Sequence, residues 1–142
     1  RGACSPPRRA NPPAPGRTAH RRVPPPTGCA AGRLRAGGGA PGGTTIVTAV
    51  LQTILNVVDH GMSPVEAVSA PRVDYQAEVV EAEGRIPAAV VEGLRSAGYQ
   101  VNRRPQNYDW YFANAQLIVA APDGSLAGAS DPRKDGGAAY SL

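Results

Sequence analysis

The sequence predicts an α+β domain over residues 39–142, preceded by a disordered segment over residues 1–38 that is rich in proline, arginine, glycine and alanine. Two observations predict the domain. Apolar side chains follow the period of a helix in residues 45–60, and two short apolar runs flank a tight turn in residues 115–129. Helices combined with antiparallel strands indicate a layered fold.

The biased composition of the first residues predicts the disorder. Residues 1–43 hold nine of the 15 prolines and nine of the 17 glycines, and their only bulky aliphatic side chains are Val23 and Leu34. Such a segment buries too little apolar surface to offset the entropy of ordering its backbone, about 1–2 kcal/mol per residue.

The charge changes sign near the same border. Residues 1–43 carry eight basic and no acidic side chains, whereas residues 44–142 carry seven basic and eleven acidic ones. A basic arm for nucleic acid is one interpretation of this charge, but residues 1–43 contain no aromatic side chain to stack on bases. We therefore expect no nucleic-acid partner.

The first predicted helix covers residues 45–60. Its apolar side chains recur every four residues, Gly61 is suited to follow its end, and Thr45 is suited to cap its start. The apolar run is shorter than the roughly 20 residues that span a bilayer, so a core helix is expected and a membrane span is not.

Two further helices are predicted from their end signals. Residues 63–66 (SPVE) combine a capping serine, a proline suited to the first turn and a glutamate that completes a capping box, and Pro71 ends this helix. Residues 87–97 form the third helix, with a weaker start because Ile86 cannot cap.

The remaining patterned segments predict strands. Residues 73–83 are expected to be extended, with Glu78, Glu81 and Glu83 on a solvated face, and residues 99–104 form another strand. Residues 115–121 are apolar on both faces and predict a central, covered strand, followed by a turn at 122–124 and a hairpin partner at 126–129.

Gly42 and Gly43 directly precede the first predicted helix. A plain turn is the ordinary interpretation of two glycines at such a position. Alternatively, they let the backbone approach a ligand and present free N–H groups to a developing negative charge. The two residues alone do not decide between these interpretations.

Several short segments carry a resemblance to a known family. They are residues 39–43 (GAPGG), 50–52 (VLQ), 56–61 (NVVDHG), 66–72 (EAVSAPR) and 128–133 (GASDPR). Their order and spacing resemble the C-terminal part of the small subunit of γ-glutamyltransferases (γ-glutamyltranspeptidases). The resemblance covers about 104 of the 142 residues.

This resemblance implies the αββα sandwich of an N-terminal-nucleophile hydrolase, made as a proenzyme that cleaves itself into two subunits. It implies that the small subunit's N-terminal threonine attacks glutathione or another γ-glutamyl amide, and that water or an amino acid or peptide accepts the acyl group. The oxyanion hole would be formed by the backbone N–H groups of Gly42 and Gly43. No metal or organic cofactor is implied, and the expected location is secreted, periplasmic or at the cell surface.

The chain lacks the family's nucleophile, which should precede Gly39. Thr44 and Thr45 are not expected to replace it, because self-cleavage there would sever the glycine turn from its helix. We therefore expect the chain alone to be inactive. Its partners would be the large subunit and the rest of the small subunit of the same proenzyme.

Other candidate residues have structural interpretations. His60 is expected to be a polar helix end, since the domain shows no metal-ligand spacing. Asp131 and Arg133 are expected to form a turn with an ion pair. The aromatic loop at 108–112 (YDWYF) is expected to pack into the core, although a subunit contact or an active-site rim are alternatives.

Two other functions and one hypothesis about the first segment stay open. A related acylase acting on β-lactam side chains would share this C-terminal pattern, and a non-catalytic remnant could bind through its basic tail. Because runs such as residues 32–38 are typical of a GC-rich gene translated in the wrong frame, residues 1–38 are interpreted as out of frame. Translating the coding DNA in its other frames tests this, and the hypothesis fails if neither frame gives family-like sequence.

Overall fold

The computed structural model of the protein describes residues 27–30, 33–134 and 138–141, with side chains described from 36 to 134. The strands are β1 (Thr27–Ala30), β2 (Arg33–Gly39), β3 (Val73–Gln76), β4 (Val79–Ala82), β5 (Gln100–Arg103), β6 (Gln116–Ala120), β7 (Leu126–Ser130) and β8 (Ala138–Ser141). The helices are α1 (Ile46–Val58), α2 (Pro64–Ser69) and α3 (Ala88–Ser96). The α+β class predicted from the sequence is confirmed.

Five antiparallel strands form the main sheet in the order β1-β2-β6-β7-β8. Strand β6 lies at its centre, as predicted, and its Leu117 is 2% exposed. Helix α2 packs on this face against β6 and β7, so that Ala67 and Val68 join Leu117 and Ala129 in the core cluster. Helix α1 packs beside α2 and contacts β2.

No described helix or strand packs on the opposite face of the main sheet. Ile118 alternates with Leu117 along β6 and is 56% exposed, and Leu126, whose register partner is Ala120, is 46% exposed. The prediction that β6 is covered on both faces is therefore wrong within the described residues, because the helices described there pack on one face of the sheet. An αββα sandwich needs a second sheet on such a face.

A smaller sheet has the order β3-β4-β5. The single extended segment expected over residues 73–83 is instead a hairpin, in which Ala77 and Glu78 turn the chain with φ of 49° and 66°. Neither residue is a usual choice for positive φ, so the sequence carries no turn signal at this point. Strand β5 runs parallel to β4 after the crossover through α3.

The helix end signals are confirmed in part. At α2, Ser63 accepts the Glu66 N–H and the Glu66 side chain accepts the Ser63 N–H, which completes the predicted capping box. Helix α3 begins after Pro87 without a side-chain cap, as its weak start signal predicted. No helix in the described ranges is long and apolar enough to cross a membrane.

Part of the segment expected to be disordered is ordered. Residues 27–30 and 33–38 lie in β1 and β2, and β2 pairs with β6 from Ala36 to Gly39. Backbone hydrogen bonds to an existing apolar strand recruit such residues without large side chains of their own, which composition alone does not reveal. The rest of the expected disorder, in residues 1–26 and 31–32, lies outside the described residues.

Candidate active site

The glycine turn predicted from the sequence connects the end of β2 to the start of α1. Gly42 has φ 149° and ψ 22°, and Gly43 has φ 67° and opens a 3₁₀ turn, Gly43–Thr45, that leads into the helix. Both glycines are exposed. The chain therefore changes direction at a solvent-facing point directly before a helix N-terminus.

Only glycine fits at position 42. A Cβ there would lie 2.6 Å from the Cβ of Ala113 and 3.0 Å from its Cα. At Gly43 a Cβ would meet nothing within 4 Å, so its positive φ alone favours glycine. The first glycine is thus required by a close approach and the second by its backbone conformation.

The turn presents unpaired hydrogen-bond donors. Within the described part of the chain, neither the Gly42 nor the Gly43 N–H donates to a protein acceptor. The first turn of α1 contains no acidic side chain that would neutralise the positive end of the helix dipole. Exposed N–H groups at such a point can stabilise a negatively charged oxygen.

The threonines after the turn have structural partners. Thr45 is at the N-cap position and buried, but its Oγ1 donates to the Gly42 carbonyl at 2.8 Å and accepts no helix N–H. The predicted capping role of the Thr45 side chain is therefore wrong, because the hydroxyl closes the glycine turn instead. Thr44 Oγ1 donates to Gln76 Oε1 at 2.8 Å.

A buried carboxylate lies beside the first turns of α1. Asp74 is 2% exposed and accepts hydrogen bonds from Thr48 Oγ1 at 2.5 Å, Gln76 Nε2 at 2.6 Å and the Tyr111 hydroxyl at 3.3 Å. Burial, and next the charge of Asp74, raise the pKa of Tyr111. Asp74 and Thr48 also line an open, mainly apolar groove of about 630 Å³ between α1, the smaller sheet and α3.

A second cluster buries four charged side chains behind the turn. Arg72 pairs with Asp131 at 2.5 Å, and Arg133 pairs with Asp131 at 2.9 Å and with Glu83 at 2.6 Å. Burial lowers the pKa of Arg72, and the nearby Arg133 acts in the same direction. In the described residues no buried side-chain polar atom lacks a partner. The predicted ion pair of Asp131 and Arg133 is present.

The solvated position expected for Glu83 is wrong. This side chain is fully buried, and besides Arg133 it accepts the backbone N–H of Asp109 at 3.0 Å. Glu81 is half-buried and lies 3.4 Å from Arg104, whereas Glu78 is exposed as expected. Glu83 and Arg133 are 50 residues apart, so their pairing leaves no local sequence signal.

The aromatic loop packs only in part. Phe112 is buried, but Trp110 is 72% exposed and Tyr108 is 47% exposed with the Arg85 guanidinium 3.9 Å above its ring. His60 is exposed just after the end of α1, which agrees with its predicted role as a polar helix end. Among the described residues no group of histidine, cysteine and acidic side chains is arranged to hold a metal ion.

The match to a known family covers almost the whole chain. Residues 1–141 match the sequence model of the family described as gamma-glutamyltranspeptidase. The chain belongs to the γ-glutamyltranspeptidase family. This is a family of hydrolases and transferases, and the α+β domain is part of an N-terminal-nucleophile hydrolase fold.

Relatives include both γ-glutamyltranspeptidases and acylases. The chain is 38% identical over 123 residues to the acylase ACY 1 proenzyme of a Pseudomonas species, covering 87% of this chain and 21% of the relative. It is 35% identical over 97 residues to the glutathione hydrolase proenzyme of Escherichia coli, covering 67% and 16%. The chain therefore spans between about a sixth and a fifth of the length of these curated relatives.

A solved structure supports the same assignment. A mutant γ-glutamyltranspeptidase of Helicobacter pylori superposes with a TM-score of 0.69 at 35% identity, covering 78% of this chain and 60% of that one. The chain thus corresponds to one part of the longer γ-glutamyltranspeptidase family members that it matches.

One feature of the site was not predicted. Ala113 touches Gly42 and has a positive φ of 60°, although it is not a glycine. An alanine between aromatic and polar residues carries no sequence signal for such a conformation. The contact appears only once the main sheet brings residues 112–115 beside the glycine turn.

Proposed function

We propose that this chain provides the oxyanion hole of an enzyme that cleaves γ-glutamyl amides such as glutathione and transfers the γ-glutamyl group to water, an amino acid or a peptide. The observation that carries this proposal is the pair of exposed glycines, Gly42 and Gly43, at the start of α1, whose N–H groups have no acceptor among the described residues. Family membership supplies the reaction class.

The proposed reaction proceeds through an acyl-enzyme. A threonine on another segment of the proenzyme attacks the γ-carbonyl carbon through Oγ, and its own free amine takes the hydroxyl proton. The carbonyl oxygen becomes an oxyanion held by the Gly42 and Gly43 N–H groups. When the tetrahedral intermediate collapses, the C–N bond breaks and the leaving amine takes the proton. Water or an acceptor amine then attacks the ester and releases the threonine.

The glycine turn suits this role because its donors are fixed before the reaction begins. The contact with Ala113 and the Thr45 hydrogen bond hold Gly42 in place, so little reorganisation is needed when charge develops. A single oxyanion-hole donor typically contributes about 10²–10³ in kcat. An oxyanion hole without its nucleophile leaves only residual catalysis, so the chain alone is proposed to be inactive.

A related acylase is the second candidate, and one observation favours it. The acylase ACY 1 relative matches this chain at 38% identity over 123 residues, at least as well as the glutathione hydrolase of Escherichia coli does. The same turn would stabilise the oxyanion of either reaction. The two candidates differ in the acyl group, which residues outside this chain would recognise.

The test is a burst experiment on the enzyme expressed from the gene together with its upstream coding sequence. With γ-glutamyl nitroanilide we expect a burst of nitroaniline of about one equivalent per active site, followed by a slower steady state that an acceptor dipeptide accelerates. The 142-residue chain alone is the control and should release none. Cleavage of an N-acyl β-lactam without γ-glutamyl turnover would support the acylase instead, and no cleavage of either amide would overturn the proposal.

A further inference from the structure

Residues 112–115 pack against the glycine turn formed by Gly42 and Gly43. Asn114 donates its backbone N–H to the Pro41 carbonyl at 3.3 Å, and a Cβ on Gly42 would lie only 2.6 Å from that of Ala113. No room is left for a side chain at Gly42, so the backbone of the turn lies against Ala113. Closely packed groups transmit displacements to one another. A shift of the 112–115 segment therefore moves the turn with it.

The segment is held in a conformation that it would not adopt by itself. Ala113 has φ 60° and ψ −179°, a region that residues other than glycine rarely occupy. A strained backbone of this kind persists only where the surrounding structure imposes it. The segment must therefore be anchored on both sides of Ala113.

Two buried side chains provide those anchors. Before Ala113, Arg72 Nη1 donates to the Phe112 carbonyl at 3.0 Å. After it, Asp131 Oδ2 accepts the Ala115 N–H at 3.1 Å, and the Asp131 N–H donates to the Ala115 carbonyl at 3.0 Å. The two anchors are joined by their ion pair at 2.5 Å, with side chains 2% and 0% exposed.

We infer that Asp131 is a positioning residue that sets the Gly42 and Gly43 N–H groups through the 112–115 segment. Its carboxylate does not contact substrate, because it is fully buried and both oxygens are engaged by arginines. Its connection to catalysis rests on the oxyanion role proposed above. Its effect on the geometry of the turn does not depend on that role. The geometric test and the kinetic test can therefore fail separately.

The geometric test uses the full 142-residue chain labelled with ¹⁵N. The Asp131→Asn side chain has an NH₂ group in place of one carboxylate oxygen. In one orientation this NH₂ faces Arg72 and the Ala115 N–H, and in the other it faces Arg133, all of which require an acceptor. The 112–115 segment should therefore move. We expect the Gly42 and Gly43 amide cross-peaks to shift by more than their line widths, while that of Gly61 stays in place. Val91→Ala, a buried change in α3 away from the turn, is the control for lost stability.

A second variant covers the case in which Asp131→Asn does not fold. Ala113→Gly keeps both anchors and removes only the Cβ that contacts Gly42, and it should also shift the Gly42 and Gly43 cross-peaks. If Asp131→Asn folds and leaves the Gly42 and Gly43 cross-peaks in place, the inference is overturned. If Asp131→Asn does not fold, unshifted Gly42 and Gly43 cross-peaks in Ala113→Gly overturn it.

The kinetic test uses the complete enzyme and γ-glutamyl nitroanilide. Asp131→Asn should lower kcat about tenfold to a hundredfold with little change in KM, because a misplacement of about 1 Å has effects of that size. Val91→Ala should leave kcat near wild type at a temperature where both variants are folded. Shifted amides with an unchanged kcat would support the positioning by Asp131 and contradict the proposed oxyanion role.

Discussion

Charged residues in this chain differ sharply in what they contribute, depending on their burial. Glu83 is fully buried and accepts two hydrogen bonds from Arg133, one through each of its oxygens. Glu92 forms an ion pair with Arg95 in which the side chains are 65% and 46% exposed. Removing one partner of a buried pair leaves an uncompensated charge, whereas an exposed pair is replaced by water.

We predict that Glu83→Gln lowers the free energy of unfolding by about 3–5 kcal/mol. The matched change Glu92→Gln should cost no more than about 1 kcal/mol, since surface pairs contribute little. Urea unfolding of the full chain measures both. Equal losses for the two variants would show that the buried cluster does not stabilise the fold.

At single residues, the sequence indicates a candidate site only where the signal is local. Gly42 and Gly43 stand out as two glycines before a predicted helix, and the turn they form is present. Their oxyanion role comes from the family resemblance and stays a prediction. The burial of Glu83 could not be predicted, since its partner Arg133 lies 50 residues away. The strain at Ala113 is likewise imposed by distant anchors and not by its own residue type.

Among the elements, α2 has the most complete local signals, and its start was predicted correctly. The Ser63 hydroxyl accepts the Glu66 N–H, which is one of the donors left unpaired at a helix N-terminus. Ser69 lies at the other end of the same short helix and has no capping role. The two serines therefore offer a matched pair of substitutions.

We predict that Ser63→Ala lowers the free energy of unfolding by about 1 kcal/mol, the usual effect of losing a serine cap. Ser69→Ala should cost less, because alanine has the higher helix propensity and no cap is removed. Urea unfolding of both variants provides the comparison. A loss at Ser69 as large as that at Ser63 would contradict the capping role.

The same capping box predicts a pH dependence. The Ser63 hydroxyl, followed by the Ser63 backbone N–H, lowers the pKa of Glu66 below its ordinary 4.5. A lowered pKa means that the stabilisation is complete above pH 4.5 and is lost as the pH falls through the lowered value. The protection of the Glu66 amide, meaning its exchange rate relative to an unstructured peptide at the same pH, should fall over this range. Glu66→Gln, which does not titrate, should show no such step attributable to residue 66.

The smaller sheet shows where pattern recognition fails for an element. The alternation in residues 73–83 correctly indicated extended backbone, but the hairpin turn uses Ala77 and Glu78 at positive φ instead of the glycine or asparagine that marks such turns. Strand β2 was missed for a different reason. Its glycines add to β6 through backbone hydrogen bonds, which carry no apolar pattern.

At the scale of the whole molecule, the uncovered face of the main sheet is the most consequential feature. Ile118 on this face is 56% exposed, whereas its neighbour Leu117 on the helix-covered face is 2% exposed. The αββα fold of the family places a second sheet against such a face. We therefore propose that the rest of the proenzyme covers Ile118 in the complete enzyme.

This arrangement predicts that a substitution of Ile118 affects stability differently in the chain alone and in the complete enzyme. In the chain alone, Ile118→Ser should change stability by less than about 0.5 kcal/mol, because the side chain is largely exposed. Leu117→Ala should cost about 2–5 kcal/mol. In the complete enzyme Ile118→Ser should become strongly destabilising, which thermal unfolding measures. An unchanged response in the complete enzyme would show that nothing packs on this face.

The hypothesis that residues 1–38 are out of frame stays a prediction. Residues 33–38 lie in β2, and the family model matches from residue 1 to 141. Sequencing the gene upstream of the Gly39 codon and translating all three frames tests the hypothesis. A continuous frame with a threonine-led start of the small subunit would support it.

The central claim is that the Gly42–Gly43 turn stabilises the oxyanion, and a pair of glycine substitutions tests it most directly. Gly43 and Gly61 have φ of 67° and 64°, and a Cβ at either would meet nothing within 4 Å. Alanine at either position should therefore cost the same, about 1–2 kcal/mol of backbone strain. Only Gly43 lies at the proposed site.

The measurement is kcat of the complete enzyme for γ-glutamyl nitroanilide in the Gly43→Ala and Gly61→Ala variants. An alanine at position 43 disfavours the left-handed backbone conformation. If the backbone relaxes out of that conformation, the N–H of residue 43 turns away from the oxyanion. We predict that kcat falls at least tenfold for Gly43→Ala with KM little changed, a part of the roughly 10²–10³ that one donor contributes. Gly61→Ala should keep the wild-type kcat. Equal kcat values in the two variants would contradict the account.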